Sequence, residues 1–203
     1  MNKIEYTRYL RGRSWVANLY RKYWLYPQLT KYLKGTTLDL GCGIGDMLSF
    51  RPNTVGVDIN PHNVALCKEL GHDAQVMLPD VLPFEETSFD SVLLDNVLEH
   101  IVEPTTLLAE IRRVLKPQGV VLIGVPGIRG QASDPDHKNL YDEEALSLFA
   151  KNNGFEVLKA FHMPLGRSMY LSRHLRQYCI YSVWQPQSVK TEIADTACPE
   201  SSL

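Results

Sequence analysis

The sequence predicts an α/β protein with a Rossmann-like, doubly wound and mostly parallel sheet, helices on both faces and an N-terminal helical cap. From Thr36 onward, short β-branched runs alternate with helical segments. These runs are apolar on both faces, as strands are when helices cover both sides of a parallel sheet. A glycine-rich loop follows the first run, where a strand would turn into a helix. Together these three observations indicate the fold class.

Seven short runs rich in Val, Leu and Ile are expected to be strands. They span residues 36–41, 54–58, 74–77, 90–95, 119–125, 155–161 and 177–184. Most consecutive runs are separated by enough residues for a helix, which is the connection that parallel strands require.

The helices between these runs begin and end at residues typical of helix termini. Asn60 and Pro61 suit an N-cap and a first turn, and Gly71 suits the position after a C-terminus. The three expected helices span residues 61–70, 104–116 and 142–153. The aromatic, basic segment 14–33 is interpreted as one or two helices broken at Pro27, because proline lacks the N–H that a helix interior needs.

Length and composition are those of a globular protein. The chain has 203 residues, 44% of them hydrophobic and 22% charged, which excludes a disordered or coiled-coil chain. We expect an N-terminal helical lid over residues 1–35, a ligand-binding domain over 36–184 and a disordered polar tail over 185–203.

The sequence also predicts a cytoplasmic location. No run approaches the ~18 apolar residues of a membrane-spanning helix, and the N-terminus lacks the apolar segment of a secretory signal. The cysteines form no C-x-x-C pair, so neither a zinc site nor a disulfide framework is expected. They are Cys42, Cys67, Cys179 and Cys198.

The most specific motif is LDLGCGIGD, residues 38–46. Its three glycines, at every second position from 41, allow the backbone to approach a ligand closely. A dinucleotide-binding fingerprint would place a glycine at position 46, but that residue is Asp46, and Asp39 precedes the first glycine. Two carboxylates suit a nucleoside that carries positive charge and no phosphate, such as S-adenosylmethionine.

A second motif, VGVDIN (55–60), places Asp58 at the end of the second strand. A carboxylate there can accept hydrogen bonds from both ribose hydroxyls of a nucleoside. The alternative is an acid that only ends the strand and caps the next helix. Beside the glycine loop, Asp58 indicates a nucleoside ligand without choosing between NAD and S-adenosylmethionine.

These motifs resemble those of the class I S-adenosylmethionine-dependent methyltransferases. LDLGCGIG is similar to the family's glycine-rich motif, and VGVDIN is similar to its ribose-binding motif. Three later segments are similar to the regions around its fourth, fifth and sixth strands: LPFEETSFDSVLLDNVLEHI (82–101), RRVLKPQGVVLIGVP (112–126) and YDEEALSLFAKNNGFEV (141–157). The resemblance covers residues 36–162 and implies methyl transfer with S-adenosylmethionine as cofactor.

The resemblance also implies roles for individual residues. The family's usual adenine-contacting acid falls on Leu78 here, so we expect Asp80 to meet the adenine instead. The residues implied at the methionine part of the cofactor are Asp39, Gly41, Cys42, Gly43 and Gly45, with Asp95 and Asn96 near its end. Asp58 and Ile59 are implied at the ribose.

Catalytic and metal-binding residues are less evident. Methyl transfer requires alignment of the acceptor, methyl carbon and sulfur, and a base only if the acceptor must lose a proton. His137, in a loop after the fifth strand, is a candidate base; the alternative is a histidine that only bonds neighbouring loop residues. Glu99 and His100 could contribute to a metal site, but no third ligand has suitable spacing, so no metal is predicted.

Residues 1–35 carry eight Lys and Arg against one acid, Glu5. This segment could form a lid over the acceptor, rest on an anionic membrane or simply cover the sheet with snorkelling arginines. Its aromatic candidates are Tyr6, Tyr9, Trp15, Tyr20, Tyr23, Trp24 and Tyr26. Arg8, Arg11 and Arg13 are the candidates for a phosphate or carboxylate.

The expected acceptor is a small molecule, sugar or lipid-linked compound with an O, N, S or C nucleophile. An anionic acceptor and peripheral contact of the protein with a membrane are both compatible with the sequence. Nucleic acid is not expected, because the segment DNVL (95–98) lacks the Asn/Asp-Pro-Pro-aromatic tetrad of exocyclic-amine methylases and the net charge is −2. The alternatives are a non-catalytic S-adenosylmethionine-binding protein and a nicotinamide-dependent oxidoreductase, which would favour glycine at position 46. The sequence does not indicate an oligomeric state.

Overall fold

The computed structural model describes residues 3–187. Its centre is a seven-stranded sheet with the order β3-β2-β1-β4-β5-β7-β6. The strands are β1 (Thr37–Leu40), β2 (Thr54–Asp58), β3 (Ala74–Val76), β4 (Phe89–Asp95), β5 (Leu115–Pro126), β6 (Phe155–Met163) and β7 (Cys179–Pro186). Strands β1 to β5 pair in parallel, and β7 lies antiparallel between β5 and β6. The predicted doubly wound, mostly parallel sheet is confirmed.

Nine α-helices occur in the described part of the chain. They are α1 (Lys3–Arg11), α2 (Trp15–Tyr20), α3 (Tyr26–Leu29), α4 (Asp46–Phe50), α5 (Pro61–Glu69), α6 (Thr105–Val114), α7 (Ile128–Gln131), α8 (Glu143–Asn152) and α9 (Met169–His174). The three helices predicted between strands correspond to α5, α6 and α8. Among residues 3–187, no helix has both the length and the apolar character needed to cross a membrane.

Helices cover both faces of the sheet. On one face, Leu108 and Ile111 of α6 and Leu146 of α8 belong to the same buried cluster as strand residues such as Leu38. On the other face, residues of the N-terminal segment pack with Leu93 of β4 and other strand residues. Because side chains alternate along a strand, this packing requires apolar residues at successive positions.

The prediction that Pro27 breaks the N-terminal helix is wrong. Helix α2 continues through a π turn (Arg21–Leu25) directly into α3 and then into a 3₁₀ turn (Thr30–Tyr32). In the π turn, the N–H of Tyr26 bonds to the carbonyl of Arg21, five residues earlier. Pro27 then falls in the first turn of α3, a position where a missing N–H is tolerated.

The N-terminal segment has two parts with different surroundings. Leu25, Tyr26, Leu29 and Leu33 are buried in the core, so this part covers the sheet. Residues of α1 and α2 are half-buried or exposed. Only the part before Leu25 has the exposure expected of a lid.

The C-terminal strand β7 extends to Pro186. Gln185 and Pro186, predicted to begin the tail, therefore pair with β6. The prediction of disorder for the rest of the tail concerns residues 188–203, which lie outside the described residues.

Candidate active site

The glycine loop is folded tightly against its neighbours at the end of β1. The N–H groups of Gly41 and Cys42 both donate to the carbonyl of Val57, at 2.8 and 3.0 Å. A Cβ at Gly41 would lie 2.5 Å from Cγ2 of Val97, and the residue has a φ of +76°. Both constraints require glycine. The backbone of the loop after β1 therefore lies beside the ends of β2 and β4.

A cavity of about 610 Å³ opens beside this loop. Three sets of residues line it. The predicted cofactor residues in the lining are Asp39, Gly41, Cys42, Gly43, Asp95 and Asn96. The N-terminal segment contributes Tyr6, Tyr9, Leu10, Arg13, Tyr20 and Arg21, and the chain from Arg176 onward contributes Arg176, Cys179 and Tyr181. The cavity therefore lies between the glycine loop and the N-terminal segment.

Asp58 lies at the base of the loop and is almost fully buried. Its Oδ2 accepts from the N–H of Gly43 at 2.9 Å and from Nδ2 of Asn63 at 3.0 Å, and its Oδ1 accepts from the N–H of Asn60 at 2.7 Å. A carboxylate oxygen can accept about two hydrogen bonds. Oδ1 therefore keeps one acceptor position for a ligand.

Five predicted site residues lie outside the cavity lining: Asp58, described above, and four others. Gly45 is the N-cap of α4. Ile59 is 52% exposed, and its carbonyl accepts from Nζ of Lys3 at 2.9 Å. Asp80 occupies a turn between Leu78 and Val81 with a φ of +58°. His137 is half-buried and lies beside Glu99. The role of each remains a prediction.

Asp39 is the buried acid of the cavity. Burial, reinforced by nearby Asp95, raises the pKa of Asp39 to about 8. A cationic ligand placed beside this carboxyl would favour its ionised form. The ammonium group of S-adenosylmethionine supplies such a charge, so the electrostatics of the site suit that cofactor.

Arginines of the N-terminal segment bind acids on the opposite wall of the cavity. Nη2 of Arg21 lies 3.1 Å from Oδ2 of Asp95, and Arg13 forms an ion pair with Asp46. Oδ1 of Asp95 also accepts from the hydroxyl of Tyr181 at 2.8 Å. These charge-assisted bonds hold the segment against β4 and α4.

Tyr20 offers an unused hydrogen-bonding group in the cavity. Its hydroxyl oxygen is buried and has no hydrogen-bond partner within residues 3–187, although the residue lines the cavity. Burial raises the pKa of Tyr20 above its usual value, so the hydroxyl stays protonated. Buried hydroxyls normally have a partner, and a ligand in the cavity could provide one.

Glu99, His100 and His137 form a second cluster near the end of β4. Nε2 of His137 is 3.8 Å from Oε1 of Glu99, and the rings of the two histidines are 4.6 Å apart. The fold therefore places His137 beside Glu99 and His100 as a third potential ligand, which the spacing in the sequence did not indicate. The backbone N–H of His137 donates to the carbonyl of Asp134 at 3.3 Å, and its ring Nδ1 lies 3.1 Å from the carbonyl oxygen of Gln131.

Sequence reasoning missed several residues of the cavity. Arg21, Arg176 and Tyr181 belong to no motif, and their contacts join distant parts of the chain. Arg21 and Asp95 are 74 positions apart, and Tyr181 and Asp95 are 86 apart. The excess of basic residues near the N-terminus was the one sequence feature that indicated a role for this segment at the site. Of Arg8, Arg11 and Arg13, which were expected to bind an anion, only Arg13 lines the cavity.

Comparisons with known proteins agree with this geometry. Residues 38–123 match a family model described as "Methyltransferase domain". Tocopherol O-methyltransferase of Arabidopsis thaliana is 28% identical over 141 residues, which are 63% of this chain and 38% of that protein. Sterol 4-C-methyltransferase of Caenorhabditis elegans is 31% identical over 121 residues, or 51% of this chain and 34% of that protein.

Solved structures share the fold. A SAM-dependent methyltransferase from Aquifex aeolicus superposes with a TM-score of 0.68 at 17% identity, covering 92% of this chain and 99% of that one. The [4+2]-cyclase SpnF superposes with a TM-score of 0.61 at 19% identity, covering 81% of this chain and 80% of that one. At these identities the likeness establishes the fold.

The fold and the cavity define an α/β protein with a candidate ligand site at the end of β1. Residues 38–123 match the methyltransferase-domain model, and the described chain shares its fold with SAM-dependent methyltransferases of known structure. The chain spans less than half the length of the first curated relatives that it matches, 30% of one and 45% of the next.

Proposed function

We propose that the protein transfers a methyl group from S-adenosylmethionine to an O, N, S or C nucleophile of a small-molecule, sugar or lipid-linked acceptor. One observation carries the proposal: a single cavity joins the glycine loop and buried Asp39 to a wall of tyrosines and arginines. The cofactor's ammonium would lie toward Asp39, and its methyl group would point toward that wall. Catalysis would then consist mainly of alignment.

The remaining cofactor contacts are proposed from the ends of β2 and β3. Asp58 has a free acceptor position on Oδ1 for a ribose hydroxyl. The exposed side chains of Ile59 and Leu78 follow adjacent strands and would border the adenine. Asp80, in the turn beyond Leu78, is the proposed partner of the adenine amino group.

The charge of the opposite wall favours an anionic acceptor. Arg13 and Arg21 are already paired with Asp46 and Asp95. Arg176 is hydrogen-bonded to the hydroxyl of Tyr9 at 2.6 Å and has no acidic partner within ion-pair distance in the described chain. A carboxylate or phosphate of the acceptor would form an ion pair with the guanidinium of Arg176. The unpartnered Tyr20 hydroxyl would bind the same acceptor.

An exposed aromatic face near the cavity supports a membrane-associated acceptor. Trp15, Val16, Leu19 and Tyr23 lie along one side of α2 and the π turn, with 71%, 57%, 44% and 66% of their surfaces exposed. We infer that this face rests on an anionic bilayer, with Lys22 beside it. The three buried free thiols, Cys42, Cys67 and Cys179, support a proposed cytoplasmic location.

The proposal is tested by calorimetric titration of the full chain with S-adenosylmethionine, S-adenosylhomocysteine and NADH, followed by an acceptor screen with labelled methyl. We expect saturable binding of the first two ligands alone and label transfer to anionic or lipid-linked acceptors. Binding of NADH without S-adenosylmethionine would contradict the proposal.

The fold alone does not specify methyl transfer, because the [4+2]-cyclase SpnF shares it, so a non-catalytic function is the alternative. The protein would then bind S-adenosylmethionine without transferring its methyl group. Saturable cofactor binding with no label transfer to any acceptor class would support this alternative over methyl transfer.

A further inference from the structure

The cluster of Glu99, His100 and His137 has the composition of a metal site. Glu99 and His100 lie on a 3₁₀ turn after β4, and His137 lies in the loop between α7 and α8. One donor atom from each residue lies within 4.8 Å of the donor atoms of the other two. We propose that these three side chains bind a divalent transition-metal ion.

The carboxylate of Glu99 is the strongest reason for the proposal. The residue is completely buried, and neither of its side-chain oxygens has a hydrogen-bond partner among residues 3–187. A buried carboxyl group without partners is costly, whether it is charged or neutral. A cation bound between Glu99 and the two imidazoles would remove this cost.

The ring of His137 has the orientation and tautomer of a ligand. Its Nδ1 lies 3.1 Å from the carbonyl oxygen of Gln131, and because a carbonyl can only accept, Nδ1 carries the hydrogen. The neutral ring therefore has its lone pair on Nε2, the nitrogen nearer Glu99. A hydrogen bond from the second ring nitrogen to a carbonyl is the usual support of a metal-binding histidine.

Backbone contacts hold the two parts of the cluster together. The carbonyl of Glu99 accepts from the N–H groups of Lys138 and Asn139 at 2.7 and 3.2 Å. The loop that carries His137 is thus fixed against the turn that carries Glu99, and the ligands are brought together before any ion binds.

The donor set indicates the class of ion. Two imidazole nitrogens and one carboxylate suit Zn²⁺, Fe²⁺, Mn²⁺ or Co²⁺ and leave further coordination positions open, whereas Mg²⁺ prefers oxygen ligands. Donors bound at ~2.1 Å from one ion lie roughly 3–3.4 Å apart. The side chains would therefore move inward by about 1 Å on binding.

The cluster adjoins the cavity without lining it. Asn96, which lines the cavity, precedes Glu99 by three residues in the segment that follows β4. The proposed ion would lie behind Asn96, at the same edge of the sheet as the glycine loop. This inference is independent of methyl transfer, because the ion would bind without cofactor or acceptor.

The test uses the full chain after removal of metals with a chelator. Titration with Co²⁺, followed by its visible d–d absorption, should show one saturable site from which Zn²⁺ displaces Co²⁺. Glu99→Gln and His137→Ala should each weaken binding at least about tenfold. His162→Ala is the matched control, because His162 pairs with Glu143 at 2.9 Å outside the cluster, and it should bind as the unchanged protein does.

Two outcomes would overturn the proposal. One is the absence of saturable Co²⁺ or Zn²⁺ binding to the unchanged protein. The other is equal binding by the unchanged protein and both ligand variants, which would identify adventitious binding elsewhere. If Glu99→Gln does not fold, His100→Ala replaces it with the same expected loss.

Discussion

Asp58 connects the glycine loop to β2 and is also the residue expected to bind ribose. Its bonds to Gly43, Asn60 and Asn63 fix the loop, and its remaining acceptor position lies on Oδ1. A change at this residue therefore affects both loop geometry and cofactor affinity, and the two effects need separate measurements.

At the residue scale, we predict that Asp58→Ala weakens S-adenosylmethionine binding by about 1–3 kcal/mol, because charge-assisted hydrogen bonds to the ribose are lost. Calorimetric titration measures the affinity, and thermal unfolding of the same sample measures the effect on the loop. Asp73→Ala, at an exposed acid before β3, should leave the affinity unchanged. Unchanged affinity in Asp58→Ala would remove this residue from the site.

The residues that could be predicted from the sequence are those whose function depends on local chain geometry. Gly41, Gly43 and Asp58 belong to short motifs at strand ends, and the structure places them together. The contacts of Arg21 and Tyr181 with Asp95, and of His137 with Glu99, depend on how distant strands and loops are arranged. Composition and periodicity do not indicate contacts between distant parts of the chain, so these contacts could not be predicted.

At the element scale, α1 has the features of a segment that opens and closes. None of its residues is buried, and polar bonds hold it to the start of α5: the carbonyl of Lys3 accepts from Asn60 at 2.8 Å, and Thr7 donates to Asn63 at 2.7 Å. An element with little apolar burial has low local stability. We therefore expect α1 to open more readily than the elements of the core.

We expect deletion of residues 1–13 to reduce acceptor turnover more than cofactor affinity, because Tyr6, Tyr9 and Arg13 line the acceptor side of the cavity. Turnover and calorimetric affinity are compared in the same preparation. The double variant Arg8→Gln and Arg11→Gln removes charge from α1 outside the cavity and should change neither. Equal losses of turnover and affinity on deletion would contradict the lid role.

The exposed face of α2 leads to a separate prediction. The double variant Trp15→Ser and Tyr23→Ser should bind anionic vesicles at least about tenfold more weakly than the unchanged protein, since both side chains would lose contact with the bilayer. Co-sedimentation with anionic and with neutral vesicles measures this. Leu148→Ser, at an apolar residue of α8 that is 59% exposed, is the control; an equal effect there would exclude a specific membrane face.

Regular periodicity and terminal residues made α5, α6 and α8 predictable. The continuation of the N-terminal helical segment past Pro27 could not be predicted in this way. The rule that proline ends a helix assumes a uniform hydrogen-bond register. Here the π turn at Arg21–Leu25 changes that register just before the proline. No residue type marks such a turn, so local propensity gave the wrong boundary.

At the scale of the whole molecule, burial of Asp39 links stability to pH. The carboxyl has a pKa of about 8 in the folded protein against 3.8 in a free side chain. Between these values the folded protein keeps a proton that the unfolded chain has released. The free energy of unfolding should therefore fall as the pH rises from about 4 to about 8.

We predict that Asp39→Asn raises the melting temperature, and raises it more at pH 9 than at pH 5, because the penalty for burying the ionised carboxyl is then absent. Calorimetric unfolding across this range measures the effect. The same variant should bind S-adenosylmethionine more weakly, since the ammonium loses its counter-charge. A gain in melting temperature that is the same at both pH values would show that Asp39 does not titrate in this range.

The class of fold could be predicted at this scale, but the position of the last strand could not. The run 177–184 was expected to be a strand, and β7 lies there. Its insertion between β5 and β6 depends on antiparallel pairing with both neighbours after a connection that contains α9. The sequence of a strand indicates which of its side chains are buried. Which strands it pairs with depends on how the whole sheet is assembled.

The interior position of β7 has a consequence for synthesis of the protein. Until Cys179–Pro186 leaves the ribosome, the apolar strand β5 has an unpaired edge, and β6 has no neighbour in the sheet. Exposed apolar edges promote association between incomplete chains. A nascent chain that pauses before residue 179 would therefore be the species most prone to aggregate, and the one that a chaperone must protect.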